Sequence, residues 1–205
     1  MKARTVLRRL AAACACVALV LATVAAMPDH GRAQQAASPV SFEAVVAKGG
    51  PRLSETMKLI VWSLQGSRAE AVVARAEGVP TQISLEPGAY RVVAIYGTAR
   101  RVQDIEVTGA AQETHLINLR AGNVALRLRP SRNAGAVRDA MEWRIHSYRQ
   151  GEGKGDEIAK VLADRPSLLL REGWYQVEVD YNGRTVGHVI EVGAGRNLTY
   201  TLLAQ

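Results

Sequence analysis

Cysteine is almost missing from this chain: of its 205 residues only Cys14 and Cys16 are cysteines, and both sit near the start. No disulfide can staple the remainder of the chain, and thiolate catalysis and cysteine-held zinc or iron–sulfur centres are excluded there. Histidine is nearly as scarce. Beyond residue 33 there are only His115, His146 and His188, with no His-x-His or His-x-x-x-His spacing to bring two ring nitrogens to one face. They read as three separate surface histidines. Serine never occupies a Gly-x-Ser-x-Gly turn, and no glycine-rich phosphate loop leads into a helix-like stretch. These absences argue against an enzyme and give no reason to expect a metal or a cofactor.

Long apolar runs are also lacking, with one exception. The run from Leu10 to Ala26 follows Lys2, Arg4, Arg8 and Arg9 and precedes small residues, the three parts of a secretory signal. It has 17 residues, many of them alanine, short of the roughly 20 that a spanning helix needs. Residues 1–33 are therefore expected to be a signal peptide cut after Ala33, with Ala26 as the competing site. Neither cysteine has the large apolar residue three positions earlier that lipidation requires; Ala11 and Ala13 stand there. The expected destination is the periplasm or the cell exterior, with no membrane span in the mature chain. Five basic residues and one acid lie in the signal, so the net charge of +7 falls to +3 for the remainder. That balance gives no ground for a nucleic-acid partner.

What is present is a repeat. Leu85-Glu86-Pro87-Gly88-Ala89-Tyr90-Arg91-Val92 recurs 85 residues later as Leu170-Arg171-Glu172-Gly173-Trp174-Tyr175-Gln176-Val177, and the match runs on to Ile105-Glu106-Val107 and Ile190-Glu191-Val192. Pro87 and Gly88 suit the two central positions of a type II turn, so the chain is predicted to reverse there. Tyr90, Val92, Ala94 and Tyr96 then alternate with a period of two, as do Tyr175, Val177, Val179 and Tyr181, which marks a strand in each copy. A tight turn comes next, at Gly97 and at Asn182-Gly183, and a returning strand ends at Val107 or Val192.

The rest of each copy fits around this stretch. After a short disordered lead at 34–40, strands are expected at Phe42–Val46, Leu59–Leu64, Ala69–Ala76 and Thr114–Leu119, then from Val124, around Trp143 and Ile145, and at Leu198–Leu202. Gly151 to Asp156 reads as a mobile hairpin loop. The fold class is all-β, a tandem duplication of a small prealbumin-like or immunoglobulin-like β-sandwich, with one repeat at 41–121 and the other at 122–205. Units of this size bury only about 60% of the surface their unfolded chains expose and have no disulfide, so the two are expected to lean on each other.

The pattern Leu85-x-Pro87-Gly88-x-Tyr90-x-Val92, with its second version at 170–177, resembles the strand–turn–strand signature of prealbumin-like β-sandwich modules, the group that includes carboxypeptidase regulatory-like domains. The resemblance implies packing, binding of proteins or glycans, and attachment to larger assemblies. An enzymatic branch, the transthyretin-like hydroxyisourate hydrolases, ends in Tyr-Arg-Gly-Ser; this chain ends Tyr200-Thr201-Leu202-Leu203-Ala204-Gln205, and that activity is not expected.

Candidate sites are few. Asp104 with Glu106, and Glu178 with Asp180, share strand faces but read as solvated outer residues. Asp156-Glu157 lacks the alternating acids of a calcium loop. Trp62 and Trp143 could stack on sugar rings, yet they hold matched places in the two copies and so read as core. Arg127, Arg129, Arg132 and Arg144 are candidate contacts for a glycan or an anionic cell surface, or else the polar face of alternating strands. One difference between the copies stands out. Arg91, Val93 and Ile95 alternate with the inward set of the first copy, where the second has Gln176, Glu178 and Asp180. Folding does not demand Val93 and Ile95, so this face is expected to pack on the second unit or on a partner protein. The expected function is an exported, non-enzymatic binding or structural accessory protein of the bacterial envelope. Protein interaction is the main reading, with an unidentified envelope protein as partner; glycan or anionic-surface binding is the alternative.

Overall fold

The computed structural model describes residues 36–204, all strand, turn or loop; the expected signal peptide at 1–33 and its expected cleavage sites lie outside the described residues. No helix there is long and apolar enough to cross a membrane.

Alternation of apolar and polar side chains gives fourteen strands in four sheets. The first set begins with β1 (Ser38–Val45), which lies between β4 (Thr81–Leu85) and β7 (Glu113–Asn118) in the order β4-β1-β7, antiparallel to β4 and parallel to β7. Facing it are β2 (Lys58–Gln65), β3 (Arg68–Glu77), β5 (Gly88–Tyr96) and β6 (Ala99–Val107), ordered β3-β2-β5-β6. The second set repeats this strand for strand: β8 (Ala121–Arg129), β11 (Ser167–Arg171) and β14 (Asn197–Leu203) form the sheet β11-β8-β14, while β9 (Met141–Arg149), β10 (Gly153–Ala163), β12 (Gly173–Tyr181) and β13 (Arg184–Val192) form β10-β9-β12-β13. The duplication thus extends to topology, including the parallel pairing of first and last strands.

Each set closes on its own core. Val40, Phe42, Leu59, Val61, Tyr90 and Val92 are buried in the first, and Val124, Leu126, Trp143, Ile145, Tyr175 and Val177 in the second. Both sets belong to one compact unit. Leu169 of β11 packs against the first core, and Thr98 Oγ1 donates to its carbonyl at 2.5 Å. Beside this contact, Arg120 pairs with Glu172, whose backbone N–H donates to the Arg120 carbonyl at 2.8 Å.

The lead expected to be disordered over 34–40 is already strand from Ser38, where pairing with β4 begins, and Val40 is buried. Three further expectations need correction. The Pro87-Gly88 stretch is not a hairpin turn: β4 and β5 belong to different sheets, so the chain arches across the sandwich there. Gly88 has a φ of 158° rather than the value near +80° of a type II turn. What holds the arch is Tyr90, whose hydroxyl donates to the Glu86 carbonyl at 2.7 Å, and Tyr175 does the same to Arg171 at 2.8 Å. Nor is 151–156 a loop. Its turn is short and β10 starts at Gly153, with irregular register against β9. Gly155 lies close to Ser147, whose hydroxyl would have to turn aside for a Cβ placed 2.6 Å from it. The hairpin turns themselves are as expected: Asn182 and Gly183 both have positive φ, 50° and 73°, as a type I′ turn requires.

The third correction concerns the tryptophans. Register places Leu59 opposite Ala94 and Trp143 opposite the equivalent Val179, so Trp143 corresponds to Leu59, and Trp62 to His146. Trp143 is fully buried, with its indole N–H donating to the Ala163 carbonyl at 3.0 Å. Trp62 lies on the opposite, outer face and is only half-buried.

Candidate functional site

The surfaces that differ between the repeats are the outer faces of the two four-stranded sheets. In the first, β5 sends Arg91, Val93 and Ile95 outward. Val93 lies between Ile60 on β2 and Val102 on β6, and Arg91 between Trp62 and Asp104. Cross-strand neighbours on one face are in contact range, and Val93 is accordingly only 5% exposed. Val102 on the same face is exposed, while Ile60, Trp62, Leu64 and Ile95 are half-buried. Ile95 borders a recess of about 350 Å³ with Lys58, Ile60 and Arg75. At the other end Arg91 holds Asp104 with two parallel bonds, Nε to Oδ1 at 2.7 Å and Nη2 to Oδ2 at 2.8 Å. The hydrogen bond from Arg91 holds the Asp104 carboxyl below its ordinary range. Asp104 is thus not a free solvated acid. The contacts between the repeats at Thr98 and Leu169 lie at the end of this sheet rather than on its apolar centre.

The second repeat fills the centre of the equivalent face with ion pairs and leaves Ile158, Leu162, Trp174 and Val189 exposed around them. Arg144 reaches Asp180 at 2.9 Å and Glu178 at 3.9 Å, Lys154 reaches Glu178 at 2.9 Å, and Lys160 reaches Glu142 at 2.9 Å. Asp180 is held below its ordinary range by the Thr185 hydroxyl and then by Arg144, against some burial. Glu178 is largely enclosed by these cations, so the second carboxylate pair is not simply solvated either.

Arg144 therefore stands apart from the other arginines singled out in the sequence. Arg127 and Arg129 lie on β8, in the other sheet, and Arg129 Nη1 makes a long contact with the Arg132 carbonyl at 3.5 Å. Arg127, Arg129 and Arg132 are exposed and make no ion pair among the described residues. The histidines are not all at the surface. His115 stacks on Phe42 with ring centroids 5.9 Å apart and meets Glu113 at 2.8 Å, and His146 is largely buried beside Glu178 at 3.7 Å; His188 is exposed. Among the described residues no group of three or more histidines and carboxylates is placed to hold a metal ion.

Sequence reasoning passed over one aromatic side chain. Trp174, on the outer face of β12, is 38% exposed and lines a cleft of about 450 Å³ with residues of both repeats. The signal was there: the first copy has Ala89 at this place.

No family model matches the chain, and no curated protein is significantly similar to it. Among solved structures, the minor pilin of Streptococcus agalactiae aligns over 80% of this chain and 94% of its own, with 9% identity and a TM-score of 0.42. A streptococcal ancillary pilin aligns over 82% of this chain and 62% of its own, with 15% identity and a TM-score of 0.38. The Bacillus anthracis TIE protein aligns over 81% of this chain and 33% of its own, with 15% identity and a TM-score of 0.33. This chain thus spans less than two thirds of the last two. The likeness is in coarse β-sandwich architecture and carries no information on function. The strands and the two cores define the class, a tandem β-sandwich protein.

Proposed function

We propose that this chain is an exported, non-enzymatic accessory protein of the bacterial envelope, built of prealbumin-like repeats at 41–121 and 122–205, that binds another protein through the outer face of β3-β2-β5-β6. The observation that carries this reading is the contrast between the two outer faces. Around the equivalent strand of the two repeats, the centre of the face holds ion pairs in the second and Ile60, Trp62, Val93, Ile95 and Val102 in the first. Folding is served by the polar version, so the apolar version has another use. Arg91, Val93 and Ile95 form the centre of the contact, and the basic residues Lys58 and Arg75 stand beside it. Export is supported by the signal pattern of residues 1–33.

The test is affinity capture from envelope extract with the chain from Gln34 onward, beside a Val93→Asp/Ile95→Asp variant shown by circular dichroism to be folded. The expected outcome is a protein retained by the first and lost by the second. Equal retention by both would place binding elsewhere and overturn this assignment.

A further inference from the structure

We infer that the cleft beside Trp174 binds an acidic saccharide, a sugar chain bearing carboxylate groups. Register sets Trp174 on β12 directly opposite Tyr148 on β9, both on the outer face of the sheet. An indole and a phenol on facing positions of one strand pair suit a single sugar ring, rather than the row that successive stacked bases would need. Three arginines line the same cleft: Arg149 and Arg171 from the second repeat and Arg100 from the first. Arg100 and Arg171 make no ion pair among the described residues, and the partner of Arg149, Glu152, is a largely exposed side chain at 3.0 Å. An exposed pair of this kind is weak and readily exchanged. The one carboxylate lining the cleft, Glu172, already pairs with Arg120, and Glu191 flanks Trp174 on β13 outside the lining.

The chemistry of the ligand is set by these groups. The exposed indole and half-buried phenol offer apolar faces to the C–H side of a pyranose, guanidinium binds carboxylate through paired N–H bonds, and a cleft of about 450 Å³ lies in the size range of small-ligand sites. The fold requires none of these residues. Where the second repeat has Tyr148, Arg149, Arg171 and Trp174, register and the repeated motif give the first Leu64, Gln65, Glu86 and Ala89. Arg171 even reverses the charge of its counterpart. Because Arg100 comes from the first repeat, the cleft is complete only when both repeats are in place.

The experiment is isothermal titration of the chain from Gln34 with a galacturonate hexamer, a neutral maltohexaose and anionic phospholipid vesicles. Binding is expected for the galacturonate hexamer alone, weakening as salt screens the guanidinium groups. Trp174→Ala, which installs the residue of the first repeat, and Arg100→Gln/Arg171→Gln are each expected to weaken it by about tenfold or more. The Val93→Asp/Ile95→Asp variant should bind as the parent does. Equal binding of maltohexaose, preference for vesicles, unchanged affinity in Trp174→Ala, or no binding of the hexamer would each overturn the proposal.

Discussion

At the scale of single residues, Tyr90 and Tyr175 carry more than their size. Each pins the arch between its two sheets by one hydrogen bond to the residue four positions earlier, and burial raises the pKa of both hydroxyls. Tyr90→Phe and Tyr175→Phe are each expected to cost about 1 kcal/mol, the usual net worth of such a bond, measured as a shift of the urea midpoint with unchanged slope. The repeated tyrosine was plain in the sequence, but its partner was not. Pro87-Gly88 carries the local signature of a turn, and local chemistry cannot tell a reversal within a sheet from a crossing between sheets. The same limit hid Trp174, which entered the motif as one of its variable positions.

Among the elements, β2 shows what periodicity can and cannot decide. Its segment Leu59-Ile60-Val61-Trp62 is apolar on both faces, so alternation marks a strand without saying which set points inward. A shift of one residue exchanges the two faces, and only the pairing of Leu59 with Ala94 settles it. In β8, by contrast, Leu126-Arg127-Leu128-Arg129 reads off directly, with Leu126 and Leu128 buried. The two tryptophans should therefore differ sharply. Trp143→Ala is expected to cost about 3–5 kcal/mol, the range for emptying a buried aromatic site, whereas Trp62→Ala should cost clearly less and should instead reduce capture of the protein partner. Denaturant titration of the two variants checks the first statement, and affinity capture the second. The glycine-rich start of β10 was misread for a related reason: glycine signals a loop on its own, but here it lies close to Ser147 within a ladder.

For the whole molecule, the duplication and most strands were legible because the chain states them twice, whereas β4, β10, β11 and the order of strands in the sheets were not. Nor was the contact between the repeats, since no local pattern marks Leu169 as a residue that packs on the other core. With that side chain against the first core and Thr98 bonded to its carbonyl, the two repeats are expected to unfold in one transition. Leu169→Asp should split it in two, seen in a Trp62→Phe background, where only the second repeat keeps tryptophan, as separate midpoints for fluorescence and for far-ultraviolet circular dichroism. The parallel pairing of β1 with β7, and of β8 with β14, has a mechanical consequence. The chain enters and leaves each sandwich at opposite ends of two neighbouring strands, so tension drawn through the ends shears the pair and loads its ladder of bonds together instead of unzipping them singly.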